Sequence, residues 1–193
     1  ATLLPGLRGT AYKAWRVKDC EPYQLTAGLA ALQLIDTNFE ELFVAYGKKT
    51  NADLVYGDLE YVSKKSPHKI VRNWKAGKFN KFNLKKGWMP PHPALFFKKS
   101  VWERIGPFDK SLKVSADYEW IVRLFLDTCL TKSFFNRVIT LMEMGGVSTD
   151  GFASERIKFV EDYQIIKQHK LPVFTTLIFK KLRKLFQYRI GRP

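Results

Sequence analysis

Four side chains in this sequence pair a reactive type with a placement that could use it. Asp117 heads the stretch KVSADYEWIVRLF (residues 113–125), His92 sits between prolines in PPHPA, Asp36 closes the apolar run LAALQLID, and Trp88 lies in a segment rich in Gly and Pro. Tyr118, Ile121, Val122 and Phe125 recur at helical spacing, so Asp117 stands in the first turn of a helix. An acid there accepts backbone N–H groups and meets the positive end of the helix dipole, and Ser115 suits the same role. Whether Asp117 does more than cap depends on what surrounds it. His92 is either an exposed loop residue or part of a site. Trp88 either anchors its loop or offers a face for stacking.

The elements that must position these residues read as an α/β chain. Residues 29–36 form a short buried strand. NFEELFVAYGKK reads as a helix over 38–48, with Asn38 as N-cap and Gly47 at its end, and ADLVYGDLEYVS as a strand over 53–61. Strand, helix, strand at this spacing is a βαβ unit. The two strands should lie in one mostly parallel sheet. PALFFKKSVWERIG gives a strand running into a short helix stopped by Gly106-Pro107. The Asp117 helix follows, then a strand in KSFFNRVITLMEM and a helix in SERIKFVEDYQIIKQHK with Ser154 as its cap. Residues 1–25 carry only weak signals.

Composition narrows the classes. At 193 residues, 46% hydrophobic and 15% aromatic, the chain can build a real core. Cys20 and Cys129 are too far apart in sequence to suggest a disulfide framework or a zinc pattern. No apolar run approaches the roughly 18 residues of a membrane span, and no signal peptide opens the chain. The formal net charge is +15, concentrated between Lys64 and Lys99, where no acid occurs, and again after Gln164. Such patches attract nucleic acid, anionic lipid or phosphorylated substrates. The segment from 64 to 99 looks like an irregular excursion or a hairpin.

GPFDKSLKVSADYEWIVRL resembles the most recognisable segment of family 2 glycosyltransferases, with its Gly-x-Phe-Asp and an aspartate at a helix start. PPHPALFFKKSVWERIGPFD, ADLVYGDLEYV and GGVS (145–148) are similar to neighbouring stretches of the bacterial polysaccharide branch, in the same order. The resemblance spans roughly residues 32–170. It implies a partial GT-A domain over residues 1–170, a mixed sheet flanked by helices, with a basic amphipathic tail helix in 171–193. The implied activity is inverting transfer of a sugar from a nucleotide-sugar to a saccharide or lipid-linked acceptor. Asp117 would be the general base, walled by Trp120 and Phe108, because a base must lie within about 3 Å of the proton it removes. His92, Trp88 and Trp120 would line the donor and acceptor side. Asp36 would be the surviving ligand for Mg²⁺ or Mn²⁺, since Thr37 and Asn38 stand where the family carries a second acid. Asp58 reads as structural.

Two further features complete the expectation. RGTAYKAWRVKD (8–19) resembles a family stretch that follows the nucleotide-binding units, so the isolated chain should bind nucleotide-sugar poorly. In the tail, Leu177, Ile178, Leu182, Leu185 and Phe186 share one face, flanked by Lys180, Lys181, Arg183, Lys184 and Arg189. That layout suits a helix on an anionic membrane surface, on the cytoplasmic inner face, or an amphipathic helix packed on the domain. The rivals are a basic nucleic-acid-binding module, with Trp74, Phe79, Phe82 and Trp88 as stacking groups, and an inactive membrane-associated scaffold.

Overall fold

A computed structural model describes residues 10–14, 23–28, 32–33, 45–63, 66–143 and 152–188. Its centre is β4, Leu54–Ser63, whose first six residues are all buried. The apolar opening of this strand is explained by its position, because both of its edges are paired. Along one edge runs β7, Lys132–Glu143, parallel from Leu54↔Lys132 to Val62↔Glu143, with the register shifting around Asp58. The other edge is shared. β6, Leu95–Lys98, pairs antiparallel with the first half through Leu54↔Phe97, and β5, Ser66–Trp74, with the second half through Leu59↔Trp74. Beyond β6 lie β2, Tyr23–Gly28, and β1, Thr10–Ala14, both antiparallel. Beyond β7 lies β3, Leu32–Gln33. Among the described residues the sheet has seven strands in the order β1-β2-β6-β4-β7-β3, with β5 attached to β4. The fold is a mixed sheet flanked by helices.

Several expectations are corrected. β3 belongs to the same sheet as β4, but it pairs antiparallel with β7 instead of opening a parallel unit. The parallel pair is β4–β7. Residues 45–49 are helical (α1), and Gly47 lies inside this turn, not at its end. The chain leaves the helix at Asn51, which takes the left-handed φ of 47° usual for such exits. The rest of the expected helix, 38–44, lies outside the described residues. The basic segment contributes a genuine hairpin strand, β5, before it turns irregular.

α2 is Lys81–Lys85, capped by the Asn80 side chain, which accepts from Phe82 N at 2.8 Å. A 3₁₀ turn at His92–Ala94 leads into β6. α3, Lys99–Ile105, stops as expected at Gly106, whose φ of 81° ends the helix. α4 is Ala116–Leu126. α5, Phe152–Gln168, begins two residues before Ser154, which is therefore inside the helix and not its cap. α6 is Val173–Gln187.

The main core lies between β4, β6 and α4. Leu54, Tyr56, Trp88, Phe97, Trp120 and Phe125 pack there. A second cluster, with Val55, Leu59, Phe135 and Ile139, covers the opposite face of the sheet. A third joins α4 to α5 through Tyr118, Val122, Ile165 and Ile166. The start of α4 is thus held from beneath by the sheet and from the side by α5.

Candidate functional site

The loop into α4 is fixed by a single carboxylate. Glu161 of α5 accepts the backbone N–H groups of Lys113 at 2.7 Å, Val114 at 3.0 Å and Ser115 at 2.7 Å. A carboxylate at a helix start also meets the positive end of the dipole. The loop that leads into α4 is thus held by a residue from another helix. Ser115 turns its hydroxyl away and donates to Asp162 Oδ1 at 2.8 Å. The other oxygen of Asp162 lies 2.7 Å from Lys180 Nζ of α6, and that ammonium sits 3.2 Å from the centre of the Tyr118 ring. Burial pushes the Lys180 amine down to about 8, against the pull of Asp162.

With the loop held this way, Asp117 is half exposed at the helix head. Its Oδ1 accepts from Tyr118 N at 2.7 Å, and its Oδ2 lies 3.3 Å from His92 Nδ1. The 3₁₀ turn that carries His92 is secured to β7, where Thr140 Oγ1 donates to Pro93 O at 3.2 Å. Burial holds the imidazole below the ordinary histidine value, Asp117 pulls it up, and Lys158 of α5 pushes it down. Each Asp117 oxygen retains a second lone pair. Tyr61, close to the carboxyl end of β4, lies within electrostatic reach of Asp117. Crevices in α/β sheets commonly form at that end of the strands.

The structure brings together Asp117 and His92, two residues singled out in separate sequence segments. It separates the other two described candidates from them. Trp88 is buried, donates Nε1–H to Ala76 O at 2.6 Å, and packs on Tyr56, Phe79 and Phe125. Trp120 is buried, donates to Gly106 O at 2.8 Å, and packs on Phe97 and Phe108. Neither indole offers a face to a sugar, so both are corrected to core residues. Phe79 shares the Trp88 cluster and Trp74 is partly covered, which leaves Phe82 as the one exposed ring of the four proposed for base stacking. Asp58 is structural as expected: it is buried and accepts from Ala76 N at 2.7 Å.

Asp36 lies outside the described residues. Among the described residues, no group of three His, Cys, Asp or Glu side chains is placed to hold a metal ion. Asp117 and His92 alone give one carboxylate and one imidazole, which is short of the oxygen-rich shell that Mg²⁺ requires.

Glu161 and Asp162 were not anticipated, and Lys180, read as part of the basic flank of the tail, pairs with Asp162 instead. A signal for the two acids was present. The inward stripe of α5 is Glu161, Asp162, Ile165, Ile166, so acids occupy positions that helical periodicity assigns to the core. Arg123, on the same helix as Asp117, is also structural. It pairs with Glu119 at 2.8 Å and donates to Pro107 O at 2.8 Å, tying the Gly106-Pro107 turn to α4. His169 Nε2 completes this group at 3.1 Å from Glu119.

Compared with models of known protein families, the chain matches none, and no curated protein matches it significantly.

Proposed function

We propose that the chain is a glycosyltransferase of the inverting type, with Asp117 as the general base. The observation that carries this reading is the Asp117–His92 contact, 3.3 Å, at the head of a helix whose incoming loop, Lys113 to Ser115, is held in place by Glu161. The carboxylate is left partly open to solvent, with the His92 imidazole beside it. Its remaining lone pairs can accept the proton of an acceptor hydroxyl. As that O–H bond breaks, the oxygen forms a bond to the anomeric carbon of a nucleotide-sugar. The bond from that carbon to the diphosphate oxygen breaks, and the electron pair leaves with the nucleoside diphosphate. Inversion follows because attack and departure occur on opposite faces. The chemistry described rests on the chain's own side chains. Mg²⁺ or Mn²⁺ at Asp36 remains part of the family resemblance alone.

The test is transfer from UDP-, GDP- and dTDP-sugars to saccharide and lipid-linked acceptors, with donor binding followed by calorimetry. Removing a general base lowers turnover by about 10²–10⁴-fold. Asp117→Asn should do so while leaving donor binding intact. His92→Gln keeps a donor near the carboxylate and should have the smaller effect. Turnover that survives Asp117→Asn would reduce Asp117 to a helix-start acid and remove the proposal.

A further inference from the structure

The tail helix is seated the opposite way round from an ordinary amphipathic helix. The face of α6 that meets the body is a polar stripe at positions 176, 180, 183 and 187. Thr176 Oγ1 donates to Lys85 O at 2.7 Å, Lys180 pairs with Asp162, Arg183 Nε donates to Lys86 O at 3.3 Å, and Gln187 bonds Arg72. Gly87 lets the two backbones approach this closely: a Cβ there would lie 2.5 Å from Thr176 O. Of the five apolar residues on one face of the tail, Leu177 turns partly inward onto the α4–α5 cluster. Ile178, Leu182, Leu185 and Phe186 face out, with Phe174 beside them. Phe186 is 85% exposed, Phe174 77% and Leu185 66%.

The apolar face does not end at α6. On one side, Lys86 Nζ lies 4.3 Å from the centre of the exposed Phe82 ring of α2 and 5.4 Å from Phe179 of α6. On the other, Lys181 Nζ lies 5.3 Å from the ring of Phe159, which is exposed on α5 beside Val160. Three helices therefore present one surface in which bulky apolar side chains alternate with lysines whose stems run along them. Exposed apolar surface of this extent marks an interaction site.

We propose that this α2–α5–α6 surface binds the face of an anionic phospholipid bilayer. Charge selects the occupant. No acid occurs in the sequence after Asp162, and none between Lys64 and Lys99, so α2 and α6 are basic throughout. A symmetric contact with a second copy would set this positive surface against itself. Nucleic acid would meet branched aliphatic side chains, Ile178, Leu182 and Leu185, that do not stack on bases. An interfacial layer with acyl chains beneath anionic headgroups satisfies both halves of the pattern. No helix among the described residues is long and apolar enough to cross a membrane, so the contact is with the surface. This proposal does not depend on the transferase reading.

The experiment is co-sedimentation of the full chain with phosphatidylglycerol-containing vesicles and with phosphatidylcholine vesicles, beside analytical ultracentrifugation without lipid. Wild-type protein should pellet with the anionic vesicles, and less so as salt rises. Leu185→Ser/Phe186→Ser should lower that partitioning by on the order of tenfold or more. Lys181→Ala should lower it about fivefold on anionic vesicles only. These side chains are exposed, so circular dichroism should be unchanged. Asp117→Asn should bind as wild type, which keeps a failure here distinct from a failure of the catalytic assignment. Wild-type protein that stays in the supernatant overturns the proposal, as does a Leu185→Ser/Phe186→Ser protein that pellets normally. So does a lipid-free dimer dissociated by the same substitutions.

Discussion

Glu161 offers the sharpest test of how the site is held, because one carboxylate bonds three consecutive backbone N–H groups. Oε2 serves Val114 and Ser115, and Oε1 serves Lys113. In Glu161→Gln the amide can keep its oxygen toward Val114 and Ser115, but its NH₂ then faces the Lys113 N–H. One bond is lost and the other two become neutral. A charge-assisted bond contributes roughly 1.5–3 kcal/mol and a neutral one about 1 kcal/mol. Lys113 is exposed, so water replaces part of its loss. The net expectation is about 2 kcal/mol. Glu161→Ala removes all three acceptors, leaves the buried Ser115 N–H unpaired, and should reach about 4 kcal/mol, near the upper end for one substitution. Urea unfolding followed by tryptophan fluorescence measures both. If the transferase assay responds, both variants should lower kcat without touching substrate, because the turn that aims Asp117 loosens. If both unfold within 1 kcal/mol of wild type, or Gln is worse than Ala, the idea that this carboxylate holds the α4 start is wrong.

Glu119 is buried between Arg123 and His169. Burial pushes its carboxyl up, and the hydrogen bonds from His169 and Arg123 more than offset this, leaving it below the ordinary glutamate value of 4.5. Its stabilisation is thus fully present above 4.5 and lost as pH falls toward the folded value. Glu119→Gln should cost about 3 kcal/mol at neutral pH and flatten the acid limb of a stability-versus-pH curve; an acid limb as steep as wild type would contradict this. Gly87→Ala combines a φ of 65° with a Cβ pressed on Thr176 O and Lys180 N, so α6 must shift. A loss of about 3 kcal/mol and faster amide exchange across α6 are expected, and unchanged exchange would show that the seat is more yielding than drawn.

The sequence showed the elements best where one physical signal dominated. The alternating apolar runs of β4, β6 and β7 and the Gly106-Pro107 stop needed no partner to be read. The antiparallel direction of β3 was invisible, because direction depends on which strand it meets, and that strand, β7, lies more than a hundred residues further on. Asp117 and His92 were legible from local pattern, yet their contact was not. The tryptophans misled for a physical reason: an indole near Gly and Pro has the same local signature whether it stacks on a ligand or fills a core. Trp88 fills the core because Ala76 O accepts its N–H inside the protein. Glu161 was hidden because helix periodicity is usually read from apolar residues, and its stripe mixes acids with isoleucines.

The polar seat of α6 has a thermal consequence. Heat-capacity change on unfolding follows mainly the apolar area newly wetted, and polar exposure acts in the opposite sense. Lifting α6 would wet Thr176, Lys180, Arg183 and Gln187, and this polar area offsets the apolar area of Val173, Leu177 and the Tyr118 ring beneath Lys180. Its detachment therefore carries little heat-capacity change compared with melting the β4–α4 core. The free energy of the attachment then varies almost linearly with temperature, while that of the core follows a dome. The two curves diverge on cooling, so the hold on α6 is set by enthalpy from a few named hydrogen bonds rather than by the solvent-driven force that closes the rest of the fold.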